Sequence, residues 1–457
     1  MNDRTTSTRD PIARLTLPGA RDLLPLAAAI PSRYPCLLES AGGSGKNARY
    51  DILFACPEES IELHRDGIVR NFAGVNSGTD FLDVLDSAWR RLRRIASADD
   101  LPFTGGWLVF LTYELAAQIE PRLVLRPAPE TAIPIALALR CPAAIIVDRM
   151  LRTTTIVADD TTLIGQLQRD LEMNCGDTRD RVVVQSVEED DPQRFLDGVA
   201  RIHDYLHSGD TFQVNLSREW RARCARDTKP AALYAQLRDA NPSPFAGLLQ
   251  WKNWAVVSSS PERLVEVRDG IAQTRPIAGT RPRASHDDAA RIRELIAHPK
   301  ERAEHVMLID LERNDLGRIC KPGSVCVDEL MTVESYAHVH HIVSNVRGEL
   351  RDDVGPGDVI RAVFPGGTIT GCPKVRCMEI IAELEREGRG AYTGALGFLD
   401  DGGNMDLNIL IRTLTLCEGR IRFRAGAGIV ADSDAQRELE ETRAKARGLL
   451  RALGAVP

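Results

Sequence analysis

Glu301 and Glu304 stand three residues apart in the stretch ERAEHVMLIDLERNDLGR, so on a helix their carboxylates share one face. Much later in the chain, Glu438, Glu441 and Lys445 are spaced i, i+3, i+7 and again fall on one face. Like charges on one helical face cost stability unless a cation lies between them. Two such faces brought together would suit a hard cation such as Mg²⁺, which takes carboxylate oxygens and keeps positions open for water and substrate. Two solvated faces of an acidic protein would show the same spacing, and the spacing alone leaves both readings open.

The segments around these helices carry further polar residues in apolar settings. TFQVNLSREW predicts a strand on which Phe212, Val214 and Leu216 share a face and Gln213 points the other way. Glu262, in SSSPER, is a lone acid at a strand edge, where a surface salt bridge with Arg263 is the simplest role. TRPIAGTRPR is rigid and cationic, with Gly279 allowing close backbone approach. Arg412 in LNILIRTLTL is predicted on an apolar strand, where a guanidinium needs a partner, and a ligand carboxylate would be a bidentate one. Gly426 and Gly428 in AGAGIVADS would leave backbone N–H groups open to an anion. Local signals predict Cys372 as a helix N-cap followed by Pro373, and Ser433 capping the last helix with Gln436 in a capping box. Asn314 and Asp315 read as capping and turn residues closing the central helix. Two metal or phosphate motifs are rejected. His338, His340 and His341 lack further ligands at zinc spacing. GGSGKN has neither the glycine gap nor the Ser/Thr of a phosphate loop.

At 457 residues two domain-sized units are expected, 1–186 and 187–457, with the acidic stretch VEEDDP (187–192) as linker. A net charge of −7 with interleaved Arg and acids argues against a nucleic-acid partner. The apolar run 133–147 is broken by Pro134, Arg140 and Pro142, so no membrane span is expected. MNDRTTSTRD has no apolar core of an export signal, and ten scattered cysteines without a CxxC pair fit reduced thiols in the cytoplasm. In the first unit CLLES and RYDILFA predict a hairpin, residues 81–95 an amphipathic helix, and residues 145–147 and 153–157 paired strands.

PIAGTRPR, RAEHVMLIDLERNDLGR, FPGGTITGCPKVRCMEII, IRTLT and AGAGIVADS resemble, in order, the motifs of the chorismate-utilising enzymes. The resemblance is dense from about residue 191 to 453 and implies an α+β fold, two stacked antiparallel sheets between helix layers in an α/β/β/α sandwich. It implies Mg²⁺ held directly by Glu304 and Glu441, with Glu301 and Glu438 acting through water, and bound to a carboxylate of chorismate. Glu262 would be the general acid for the departing C4 hydroxyl, and His341 would contact that oxygen. Gln213 stands where isochorismate and salicylate synthases carry a water-activating Lys, so ammonia rather than water is the expected nucleophile. Ala278 stands where many aminodeoxychorismate synthases carry a nucleophilic Lys. Ala278 and Thr370 join the catalytic positions by the same resemblance. Arg412, Gly426, Gly428, Lys445, Gly279, Thr280 and Tyr392 would bind the substrate. A segment like LLES lines an allosteric tryptophan pocket in the family. His340-His341, Gly366-Gly367 and Asn404-Met405-Asp406 lean toward the component I branch of aminodeoxychorismate synthase, whereas Ala278 and NPSPF lean toward anthranilate synthase component I. None of the ten cysteines lies in a GxCxGxQ-like turn, so a separate glutamine amidotransferase subunit is expected to supply ammonia.

Overall fold

The computed structural model describes residues 12–42, 49–94, 101–176, 178, 180–282, 299–335 and 339–456, with backbone only at 278, 280–282, 299–300, 335 and 339–340. Two 12-stranded sheets are formed among the described residues. The first runs from Ala13–Pro18 through Thr153–Ala158, Ala143–Asp148, Tyr50–Ala55, Cys36–Glu39, Phe245–Trp251, Trp254–Ser260, Thr413–Cys417, Arg420–Ile429 and Gln213–Cys224 to Val184–Glu189. The second runs from Ile277–Pro282 through Val339–Glu349, Ile271–Thr274, Arg263–Arg268, Met405–Ile409, Ala395–Asp400, Gly106–Leu111, Ala136–Cys141 and Glu59–Leu63 to Val69–Asn71 and Asn76–Gly78. Neighbouring strands pair antiparallel, for example Gln213–Cys224 with Arg420–Ile429 and Gly106–Leu111 with Ala395–Asp400.

The layers follow from which residues each face buries. Phe54, Ile146, Leu249 and Val256 of the first sheet meet Leu108, Phe110, Leu139 and Phe398 of the second in one apolar cluster. The outer face of the first sheet packs on Leu233, Leu237 and Leu449 from helices Pro230–Ala240 and Ala435–Ala452. The outer face of the second packs on Leu82 and Leu85 of helix Phe81–Leu92, Ile360 of helix Pro356–Val363, and Ile309 and Leu316 of the central helix Pro299–Gly317. This is the expected α+β sandwich of two stacked antiparallel sheets between helices. Among the described residues no helix is long and apolar enough to cross a membrane.

Local chemistry moves several expected boundaries. Residues 187–189 are not linker: they end the edge strand Val184–Glu189, and Asp191 caps the next helix by accepting from Gln193 N. The expected division between 186 and 187 therefore falls inside a strand, and strands from both sides of it enter both sheets. The first amphipathic helix stops at Leu92 instead of 95. Gly371–Cys372 pairs with the strand that starts at Gln213, so the following helix starts at Lys374 and Pro373 takes the cap position. Asp434, not Ser433, caps the last helix, its carboxylate accepting from Arg437 N. The Ser433 hydroxyl accepts from Val430 N instead. Asp315 lies within the central helix and is buried.

Candidate active site

Two passages of the chain between the sheets create the centre of the site. The first leads from Trp254–Ser260 in one sheet to Arg263–Arg268 in the other, and carries Glu262. The second leads from Met405–Ile409 back to Thr413–Cys417, and carries Arg412. Backbone bonds fasten them together: Ile409 N donates to Glu262 O at 3.0 Å and Ser259 N to Arg412 O at 3.1 Å. The Ser260 hydroxyl adds a 2.5 Å bond to Ile409 O. Arg412 is therefore not on a strand, as its apolar flanks predict; it turns the corner with φ of 51°. A left-handed non-glycine residue costs about 1 kcal/mol or more, strain held here by the paired crossings.

Glu262 is 9% exposed and pairs with no Arg263 salt bridge; Arg263 goes to Asp406 and Glu266. Its Oε1 accepts a 2.7 Å hydrogen bond from the hydroxyl of Thr368. Burial raises the Glu262 pKa, against the opposing pull of Thr368, Lys445 and Arg412. A carboxyl whose pKa is raised by burial is better suited to donate a proton than an exposed one. Burial lowers the pKa of the Arg412 guanidinium, while the Glu262 charge supports its cationic form. Among the described residues the Arg412 side chain has no ion pair or hydrogen bond, whereas the buried Arg140, Arg389 and Arg424 each bind protein carboxylates. A cation left open beside a proton donor is a receptor for a ligand carboxylate.

Strand Arg420–Ile429 forms one wall. Gly426 and Gly428 lie opposite Ser217 and Asn215, two residues apart on one face and so about 7 Å from each other. A Cβ at Gly426 would lie 2.7 Å from the Tyr392 hydroxyl and 2.8 Å from Asn215 Oδ1. One at Gly428 would overlap Gln213 Nε2. Lys445 Nζ donates to Gly426 O at 3.0 Å and stands 2.7 Å from Glu441 Oε1. At the other glycine, Gln213 Nε2 donates to Glu304 Oε1 at 3.5 Å. The expected alternation holds only in part: Val214 and Leu216 are buried, Phe212 lies before the strand and is 69% exposed, and Gln213 is buried as well.

The two acidic helices thus reach one strand from two directions, Glu441 at Gly426 and Glu304 at Gly428. Gln213 Oε1 is buried without a hydrogen-bond partner, while Nε2 of the same amide faces the Glu304 carboxylate. Carboxylate and amide oxygens are the donors a hard cation takes. Among the described residues no three His, Cys, Asp or Glu side chains converge as a complete metal cage. Glu301, Glu304, Glu438 and Glu441 are all among the described residues, so the expected four carboxylates are not brought together as one cluster. Glu301 and Glu438 are half-buried one turn before Glu304 and Glu441.

His341 is buried on strand Val339–Glu349, with Nδ1 3.3 Å from Gly279 O. Gly279, with φ of 64°, forms a bulge that lets Ala278 pair with Ile342 and Thr280 with His341. The side chains of Ala278, Thr280 and His340, and the whole of His338, lie outside the described residues. Next to Glu304 on the central helix, His305 is fully buried, bonds Ser344 Oγ at 2.7 Å and is pushed down to about 4 by burial, so it is neutral. It fastens the helix to the strand of His341.

The Thr370 hydroxyl turns to its own loop and not to Glu262. Its hydroxyl donates to Gly366 O at 2.9 Å and so shapes the loop. The hydroxyl that reaches the acid is Thr368, two residues earlier, and the local sequence PGGTITG does not tell the two threonines apart. Tyr392 is buried, its pKa pushed up to about 12 by burial, and it lies over the Arg389 guanidinium at 5.5 Å. Arg389, Glu385 and Arg424 form a knot beneath the wall. Arg389 donates to Glu385 (2.7 Å), Asn215 O (2.7 Å) and Ile369 O (3.1 Å), and Arg424 donates to Glu385 at 3.0 Å. Sequence reasoning passed over these residues because each reads alone as a surface charge.

A family model described as chorismate binding enzyme matches residues 42–451. The chain belongs to that family. Anthranilate synthase component 1 of Synechocystis sp. is 39% identical to it over 471 residues, covering 93% of this chain and 91% of the relative. Aminodeoxychorismate synthase component 1 of Klebsiella aerogenes is 37% identical over 425 residues, covering 91% and 93%. The crystal structure of anthranilate synthase component I from Streptococcus pneumoniae superposes with a TM-score of 0.78 at 32% identity, covering 89% of this chain and 93% of that one. The protein is a chorismate-utilising enzyme, and close relatives carry both names.

Two cavities are of ligand size. The larger, about 840 Å³, is lined by Phe212, Ala303, Met307, Asp315 and Lys374 but not by Glu262, Arg412 or Lys445. A second, about 460 Å³, is lined by Leu38, Ser40, Tyr50 and Phe398, among others, and so includes the LLES segment.

Proposed function

We propose that this chain is component I of an aminodeoxychorismate synthase, a Mg²⁺-dependent chorismate aminase of the cytoplasm that supplies 4-aminobenzoate and folate synthesis. In this reading ammonia replaces the C4 hydroxyl of chorismate, giving 4-amino-4-deoxychorismate and water. The observation that carries it is the open Arg412 guanidinium beside the buried Glu262, whose pKa burial raises. Arg412 and Lys445 orient the carboxylates of chorismate. Glu262 gives its proton to the C4 oxygen as the C–O bond breaks, and His341 contacts that oxygen. Gln213 has no proton to take up at neutral pH, so it does not activate water for attack. Glu304 and Glu441 would hold Mg²⁺, with Glu301 and Glu438 through water, and the bound ion would neutralise a substrate carboxylate. Ammonia comes from a glutamine amidotransferase subunit, component II; all ten cysteines are free thiols, and none stands in a glutaminase nucleophile motif.

The branch markers His340-His341, Gly366-Gly367 and Asn404-Met405-Asp406 support amination at C4 without loss of pyruvate. Ala278 and the relatives named anthranilate synthase favour the second reading, in which pyruvate leaves and anthranilate forms. Incubating the purified chain with chorismate, ammonium and Mg²⁺ separates them. Product that aminodeoxychorismate lyase converts to 4-aminobenzoate supports the first; fluorescent anthranilate as main product establishes the second.

A further inference from the structure

Asn215 is a buried amide whose oxygen the protein leaves unused. It lies on strand Gln213–Cys224 and is 8% exposed. Its backbone is pinned on both sides: Asn215 N donates to Thr370 O at 2.9 Å, and Asn215 O accepts from Arg389 Nη2 at 2.7 Å. Residues two apart on a strand share a face, so Gln213, Asn215 and Ser217 form one row beside Gly428 and Gly426 of the neighbouring strand. The Ser217 hydroxyl is taken by Glu385 and Arg424. Gln213 Oε1 and Asn215 Oδ1 are both buried without a hydrogen-bond partner. Asn215 Oδ1 and the Tyr392 hydroxyl converge on space that glycine keeps free: a Cβ at Gly426 would lie 2.8 Å from the first and 2.7 Å from the second. Buried polar atoms without partners are uncommon, and two in one row, next to glycines that leave room, mark a place where a ligand brings the missing donors.

We propose that Asn215 binds the ammonia that attacks chorismate, its Oδ1 accepting an N–H of the nucleophile. The proposal rests on ammonia being the nucleophile, as in the function proposed above. An amide oxygen accepts hydrogen bonds and cannot donate them. The carboxylates and the enol-ether oxygen of chorismate are acceptors too, so none of them can satisfy Asn215 Oδ1. The C4 hydroxyl is assigned to Glu262 and His341. Ammonia has three N–H groups and is the reactant left with donors to offer. Neutral oxygens suit it for two reasons. They take N–H groups and leave the nitrogen lone pair free for the ring, whereas a guanidinium would occupy that lone pair. They also carry no negative charge, which would favour ammonium, the form that has no lone pair. The Tyr392 oxygen is a second acceptor at the same space, and Gln213 Oε1 lies one step along the row toward Glu304. The backbone bonds of Asn215 to Thr370 and Arg389 fix where its amide stands on the wall.

The test follows chorismate consumption by the purified chain with Mg²⁺ at one pH, for wild type, Asn215→Leu and Asn215→Asp. Ammonium chloride is varied at saturating chorismate, and chorismate at saturating ammonium. Asn215→Leu keeps the size of the side chain and deletes the acceptor. It is expected to raise KM for ammonium about tenfold, the worth of one hydrogen bond, and to leave KM for chorismate unchanged. Asn215→Asp keeps an acceptor oxygen in place, so its ammonium KM is expected to stay closer to wild type than that of Asn215→Leu. Should Asn215→Leu not fold, Asn215→Ala is held to the same measure. A wild-type ammonium KM in Asn215→Leu would overturn the proposal. So would a raised chorismate KM at unchanged ammonium KM, since the amide would then serve a substrate carboxylate through its N–H groups. Chorismate consumption by wild type at a rate independent of ammonium would overturn ammonia as the nucleophile, and the proposal with it.

Discussion

Replacing Thr368 with Val tests the acid through a group one hydrogen bond away. Val keeps the shape of Thr and deletes the hydroxyl that donates to Glu262 Oε1 at 2.7 Å. That bond favours the ionised carboxylate and lowers the pKa of Glu262, so its loss raises the pKa further. A hydrogen bond to a charged buried group is worth about 1.5–3 kcal/mol, and the protonated acid keeps part of it. Without that bond Glu262 holds its proton to higher pH, and the alkaline limb of kcat/KM should move upward. The acid also loses its fixed orientation, and a misplacement of about 1 Å is worth up to about a hundredfold in rate. A kcat lowered about ten- to a hundredfold at little-changed KM is therefore expected. Chorismate consumption measured over the pH range reads both effects. An alkaline limb that stays in place, with kcat like wild type, would refute Thr368 as the group that positions the acid. Thr370→Val, which removes only bonds to Gly366 O and Gly367 O, should lower thermal stability without moving the limb.

Glu441→Ala should abolish turnover at saturating Mg²⁺ while circular dichroism stays native; near-normal activity would sink the metal assignment. Gly428→Ala pushes a methyl group into Gln213 Nε2, so about a hundredfold loss in kcat/KM is expected from a displacement on the order of 1 Å, and a wild-type value would remove Gln213 from the site. Glu385→Gln leaves Arg389 and Arg424 buried without their shared carboxylate and should cost about 3–5 kcal/mol in denaturant unfolding. Glu385 is held below the usual carboxylate range because the two guanidinium groups outweigh its burial. Its contribution is thus present above the unfolded pKa and fades as pH falls through the folded one, so wild type and Glu385→Gln should converge in stability in acid.

Much of the sandwich was legible because strands and helices bury alternating or 3.6-spaced faces, a signal that lies within a few adjacent residues. The hairpin of Cys36–Glu39 with Tyr50–Ala55 and the pairing of Ala143–Asp148 with Thr153–Ala158 depend on that local pattern and emerged as read. The ordered motifs also placed Glu262, Arg412, Gly426, Gly428 and Lys445 in one expected site. What the sequence could not decide is held by contacts between distant segments. VEEDDP reads as linker from its charge, yet its first residues gain an edge position beside strand Gln213–Cys224. Arg412 reads as strand because its neighbours are apolar, yet the chain changes sheets there, since Ile409 and Ser259 bond across the two crossings. Thr368 and Thr370 are equivalent in pattern, and only the fold points one hydroxyl at a carboxyl and the other at its own backbone. Asp315 reads as a capping and turn residue, and nothing in the pattern marks Glu312 as buried, since such charges usually lie at the surface. Glu312 and Asp315 are buried only because distant segments close over the central helix, and desolvation there, which no linear pattern encodes, raises the pKa of both carboxyls.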